Sequence, residues 1–127
     1  MTVTYSSYLH LDELLAAQQP LSQGPEHDEM LFIVIHQVYE LWFKQLLHEA
    51  AHLGAALEQD ELPRVYATLK RFLTILKVQV AQIDILETMS PVSFLSFRAR
   101  LDTASGFQSP QFRELEFVLG RRSARMI

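Results

Sequence analysis

The 127-residue chain contains no cysteine, which excludes a disulfide framework and any thiolate ligand for a metal or haem. Glycine is scarce, with four residues, and the five prolines fall between apolar segments, at Pro20, Pro25, Pro63, Pro91 and Pro110. Basic charge is short as well: 11 Lys and Arg stand against 15 Asp and Glu, a net charge of −4. No Lys/Arg stripe forms outside Arg121, Arg122 and Arg125 of the tail, so no nucleic-acid partner is expected. No apolar run approaches the ~18–20 residues that would span a bilayer. The opening MTVTYSSYLHLDELL has neither the basic n-region nor the sustained apolar core of a signal peptide. A cytoplasmic protein with no membrane partner is the expectation. Absent too is any useful period-2 alternation, which removes strands from the expected fold.

What is present is helical spacing. By length this is one domain with one modest core: an arm over residues 1–24, a helical core over 25–120 and a tail over 121–127. Leu9, Leu11, Leu14 and Leu15 predict a short first helix, stopped by the turn QQPLSQGP. A second helix is expected from Glu26 or His27 to about Gln59, with Glu26, Asp28 and Glu29 complementing the dipole at its start. At ~1.5 Å per residue it makes a rod near 50 Å long. Pro63 suits the first turn of a third helix over Arg64 to about Met89. That helix repeats Val65, Leu69, Phe72, Leu73, Leu76, Val80, Ile83 and Leu86 on one side. Ser90-Pro91 opens a fourth helix to about Leu101, and Pro110 to Leu119 a fifth. The expected class is all-α, a bundle on a long antiparallel pair.

Three patterns carry chemistry. The segment HEAAH, His48 to His52, has the zinc-protease spacing, in which two histidines one turn apart bind the metal and the glutamate polarises water. The extension that would supply a third histidine fails, because Ala55 stands where a glycine belongs and no later histidine follows. A solvent-facing His/Glu edge explains the pattern as well. His36 lies in LFIVIHQVYELWF. It reads either as a satisfied core residue or as a neutral imidazole in a dry pocket, exchanging one hydrogen bond with a polar ligand. Arg98, in SFLSFRARL, is either a two-pronged carboxylate clamp or a partner in an internal salt bridge.

Taken together, YSSYLHLDELLAAQQPLS, HDEMLFIVIHQVYELWFKQLLHE, FLSFRARL and SGFQSPQFRELEFVLG resemble, in this order, the N-terminal part of the tryptophan 2,3-dioxygenase family. The blocks run from Tyr5 to Gly120. The resemblance implies a haem b enzyme that adds O2 across the C2–C3 bond of L-tryptophan to give N-formylkynurenine, in tryptophan catabolism by the kynurenine pathway. By the same resemblance, His36 holds the position of the distal histidine that accepts a hydrogen bond from the indole N–H. Phe32, with Ile33, Val34 and Ile35, walls the indole pocket, and Arg98 clamps the substrate carboxylate. Ser105 and Gly106 match a loop beside the haem. Tyr5, Tyr8 and Leu9 match residues lent to a neighbouring subunit's pocket, which implies a homotetramer. One departure is Phe94, where the family usually has a tyrosine whose hydroxyl helps hold the substrate's polar end. Family members are longer, and their proximal haem ligand lies in the C-terminal half, so this chain is expected to supply the distal side. A non-catalytic helical relative that binds an indole or a partner chain, and a zinc hydrolase using His48, Glu49 and His52, are the other readings.

Overall fold

The computed structural model describes residues 2–22, 26–98 and 108–120. All regular elements among them are helices: α1 (Tyr5–Leu9), α2 (Leu11–Leu15), α3 (Asp28–Glu58), α4 (Leu62–Leu86), α5 (Pro91–Arg98) and α6 (Pro110–Val118). The all-α expectation holds.

The frame is the α3–α4 hairpin. After α3 the chain reverses at Asp60, whose φ of +53° places it in the left-handed region, and the amide of Glu61 donates back to the Ala56 carbonyl at 3.0 Å. Pro63 then falls in the first turn of α4, where its missing N–H leaves no bond unmade. Cross-links between the two helices run in opposite order along them, as an antiparallel pair requires. The Tyr39 hydroxyl donates to the Gln79 carbonyl at 2.5 Å, and Arg71 reaches Glu49 at 3.6 Å. The core lies between them. Leu46, fully buried, meets Phe72, Ile75 and Leu115, with Trp42, Phe43, Leu47, Ala50 and Leu76 packed around.

α6 closes one side of α3. Ser109 caps it by accepting from the Phe112 amide at 3.1 Å. The same hydroxyl donates to a carboxylate oxygen of Glu40 at 3.0 Å. Gln111 donates to that oxygen at 3.1 Å and to the Glu40 carbonyl at 2.9 Å.

The expected single helix at the N-terminus is two. His10, at φ +54°, ends α1 and begins α2, and a non-glycine residue in that conformation gives no signal in an apolar pattern. Neither helix buries a residue. The segment behind them is tied to α3 by polar bonds. Gln37 donates to the Ala17 carbonyl at 3.0 Å and accepts from Gln18 at 2.8 Å. Glu29 sits in the first turn of α3 as expected, yet it is only 1% exposed. Its carboxylate accepts from the amides of Leu21 and Ser22, each at 2.9 Å, and from the Ser22 hydroxyl.

The apolar side expected on α4 divides in two. Its buried residues are Thr68, Phe72, Ile75 and Gln79, whereas Leu69, Leu73, Val80 and Ile83 are exposed. Among the described residues no helix is long and apolar enough to cross a membrane.

Candidate functional site

His36 is built into its place by helix geometry. Residues one turn apart stack on a helix face, and the Phe32 and His36 rings lie 4.3 Å apart between centroids, tilted by 38°. The imidazole Nδ1 lies 2.7 Å from the Phe32 carbonyl oxygen. A carbonyl only accepts, so Nδ1 carries the proton, and in the neutral ring Nε2 is left with a lone pair. The local backbone thereby selects the tautomer. The ring is half-buried.

α5 lies across this turn. Its start is capped by Ser90, whose hydroxyl accepts from the Ser93 amide at 3.1 Å. Phe94 then meets Phe32 with ring centroids 5.8 Å apart. One turn further, in the last turn of α5, the Arg98 guanidinium carbon lies 5.8 Å from the centre of the Phe94 ring, a cation–π distance. His36, Phe32, Phe94 and Arg98 thus form one continuous series: an acceptor nitrogen at one end, two aromatic faces, and an exposed cation at the other.

The remaining predicted site residues are distributed by the helical period of about 100° per residue. Ile35 is 5% exposed and serves the packed interior. Val34 is 39% exposed, and Ile33 is half-buried. Tyr5 and Tyr8 are about three-quarters exposed, at 75% and 74%, with Leu9 at 41%. Ser105 and Gly106 lie outside the described residues.

A groove of about 370 Å³ runs beside His36, between Leu14 and Ala17 of the arm, Glu40 and Leu41 of α3, and Gln111 of α6. The sequence reading singled out none of these five as functional. Glu40 shares a helix face with His36 by its i+4 spacing, but nothing in the sequence brings Gln111 to it.

The HEAAH turn is arranged differently. His48 and His52 are exposed, as a solvent-facing edge requires. Glu49 departs from that edge: it is 4% exposed, accepts from Gln45 at 2.6 Å and pairs with Arg71 at 3.6 Å. The glutamate lies about 100° round from His48, so it turns toward α4 while both histidines face outward. Among the described residues no cluster of three or more His, Asp or Glu could hold a metal. Farther up α3, burial pushes the Tyr39 hydroxyl above its ordinary pKa of 10.0.

The family model for tryptophan 2,3-dioxygenase matches residues 1–127. The chain belongs to the tryptophan 2,3-dioxygenase family. A tryptophan 2,3-dioxygenase from Anaeromyxobacter sp. is 62% identical over 125 residues, covering 98% of this chain and 46% of the relative. One from Herpetosiphon aurantiacus is 61% identical over 118 residues, covering 93% and 45%. One from Pseudomonas fluorescens is 46% identical over 126 residues, covering 99% and 44%. The chain spans less than half the length of these tryptophan 2,3-dioxygenases.

Proposed function

We propose that this chain supplies the distal, substrate-holding side of a haem-dependent dioxygenase. The reaction inserts both atoms of O2 across the indole C2–C3 bond of L-tryptophan and yields N-formylkynurenine. The observation that carries the reading is the series His36–Phe32–Phe94–Arg98, because its chemistry complements one amino acid at both ends. L-tryptophan has an apolar ring with a single N–H donor and, some distance away, a carboxylate.

His36 accepts the indole N–H at Nε2, since Nδ1 is already committed to the Phe32 carbonyl. That bond fixes the ring's orientation and can take up the proton if the nitrogen releases it. Phe32 and Phe94 form the dry aromatic wall, which excludes water from the ring. Arg98 presents two parallel N–H groups to the carboxylate. Phe94 has no hydroxyl, so the polar end of the substrate leans on Arg98 more heavily than it would beside a tyrosine.

Haem, when bound, supplies the iron that activates O2. The described residues suit one face of such a group: aromatic rings around a single imidazole, with a proximal ligand expected outside this chain. Ser105 and Gly106 would lie at its edge. Tyr5, Tyr8 and Leu9, exposed on a helix that buries no residue on its own chain, are available to complete the pocket of a neighbouring subunit in a homotetramer.

The test is a chimera in which this chain replaces the matching segment of the Anaeromyxobacter relative. The expected result is haem-dependent conversion of L-tryptophan, with both product oxygens drawn from labelled O2. A folded, haem-loaded chimera that leaves L-tryptophan unchanged, or that incorporates one labelled atom, overturns the proposal.

A further inference from the structure

α4 carries two stripes of residues, each at alternating steps of three and four, and the helix buries the less apolar of them. The inner stripe, against α3, includes Thr68 and Gln79, and the amide nitrogen of Gln79 is buried without a hydrogen-bond partner. The outer stripe is Leu62, Tyr66, Leu69, Leu73, Val80 and Ile83, exposed by 41% to 76%, with half-buried Leu76 in line between them. At ~1.5 Å per residue it runs for about 32 Å. A continuous apolar face of that length on a soluble surface marks an interaction site. Its seven-residue repeat selects a helix as the partner, because knobs spaced this way fill the holes of another helix.

We propose that the outer stripe of α4 seats an amphipathic helix, apolar at heptad spacing and acidic along one flank, from the part of the family's chain that lies outside the segment matched here. The proposal rests on family membership and not on the catalytic reading.

Two observations choose this occupant. The relatives matched here continue for more than half of their length beyond the shared segment, which covers 46% of the Anaeromyxobacter chain. The flanking charge then argues against a second copy. Lys70 and Lys77 directly follow the stripe residues Leu69 and Leu76, both lysines exposed. In an antiparallel pair of α4 helices with the stripes fully overlapped, Lys70 of each copy faces Lys77 of the other, and like charges at flanking positions oppose association. In a parallel pair the opposing flank would be supplied by Phe72 and Gln79, which are already packed against α3. Carboxylates on the incoming helix would complement both lysines.

The experiment co-expresses this chain, affinity-tagged, with the part of the Anaeromyxobacter relative that lies outside the match, and reads the complex by native mass spectrometry without added haem or tryptophan. The expected result is a one-to-one complex. Leu73→Glu with Val80→Glu should weaken it at least ~10-fold, since each places a charge in the seam. Lys70→Glu with Lys77→Glu should weaken it by about 3–10-fold and flatten its salt dependence. Ala81→Glu, exposed on α4 beside the stripe, should leave it unchanged. Helical circular dichroism of each variant separates lost docking from lost folding. A complex indifferent to the Leu73/Val80 pair, the absence of any complex, or a dimer of this chain alone that Leu73→Glu dissociates would each overturn the proposal. None of these outcomes bears on turnover in the chimera, and an inactive chimera would leave the complex standing.

Discussion

α3 carries two histidine-bearing turns, roughly three to four turns apart at ~3.6 residues each, and they are built in opposite ways. Around His36 one ring nitrogen is held by the Phe32 carbonyl, the Phe32 ring lies tilted against the imidazole, and Phe94 and the Arg98 cation follow beyond it in series. Around His48 and His52 both imidazoles face solvent, and the carboxylate between them is spent on Gln45 and Arg71. The second turn has the better-known spacing. The first has the environment. An imidazole is prepared for a task when its neighbours settle the tautomer and dry the free nitrogen, and spacing along a helix supplies neither.

The sharpest way to break this comparison is to remove the ends of the His36 series. Arg98→Ala in the chimera should lower kcat/KM for L-tryptophan by roughly 10–150-fold, the equivalent of losing about 1.5–3 kcal/mol of charge-assisted hydrogen bonding. The loss should fall mainly on KM, because the carboxylate is bound alike in ground and transition states. His36→Ala should cost about tenfold, and should discriminate less against an N-methylated indole than the native protein does. Steady-state kinetics on both substrates check the pair. An Arg98→Ala protein with unchanged KM would remove the carboxylate clamp from the series.

Next in size is Glu49, which belongs to the second turn but works for the fold. Glu49→Ala removes a buried carboxylate, leaving Gln45 without its acceptor and the exposed Arg71 without its counter-charge, and should cost about 1–3 kcal/mol. Glu49→Gln, which keeps an acceptor for Gln45, should recover most of that loss, because the Arg71 contact is long and Arg71 is largely exposed. Urea unfolding followed by circular dichroism measures both. Equal destabilisation by the two variants would mean that the ion pair, rather than the Gln45 bond, dominates.

Tyr39 joins the His36 half of α3 to α4 and should matter less. Tyr39→Phe removes one hydrogen bond to the Gln79 carbonyl and should cost about 0.5–1.5 kcal/mol. It should also change the alkaline limb. Burial raises the folded pKa, so the unfolded phenol ionises first. The native contribution is intact below the ordinary value of about 10 and is lost as pH rises from there through the higher folded value. The phenylalanine variant should therefore lose less stability above pH ~10 than the native chain. Parallel slopes for the two proteins would show that the hydroxyl titrates as it does in water.

The frame was legible in the sequence. α3 and α4 announce themselves by unbroken apolar spacing with Pro63 at the boundary, and their observed ends fall within two or three residues of the expected ones. The apolar residues of α4 were also visible, but not their division. Leu69 and Phe72 are both apolar and three apart, yet one is exposed and the other buried, because which stripe faces α3 is decided by packing rather than by content. Polar clamps were the least legible. Glu29 looked like a charge at a helix N-terminus, and only the fold shows it holding Leu21 and Ser22. Glu40 and Gln111 are 71 residues apart, and no local pattern connects them. In the site, His36 and Arg98 stood out as polar groups in aromatic company, and the series joining them depends on α5 crossing α3.

The smallest effect is expected where the motif is most familiar. Both His48 and His52 are exposed, so replacing the two together with alanine should change stability by no more than about 0.5 kcal/mol and should leave turnover in the chimera as it was. For a zinc site to form here, Glu49 would have to leave Gln45 and Arg71 and emerge from a position only 4% exposed. It would then expose the face that α4 now covers, and a third protein ligand would still have to be found. Calorimetric titration of the 127-residue chain with Zn2+ alone should therefore show no stoichiometric uptake. One-to-one binding that His48→Ala with His52→Ala abolishes would reverse the order of the two turns, making the exposed pair the chemical site and leaving His36 to packing. Such binding would also have to raise the stability of the hairpin with the logarithm of zinc concentration above the dissociation constant, whereas the present geometry sets the cost of freeing Glu49 against it.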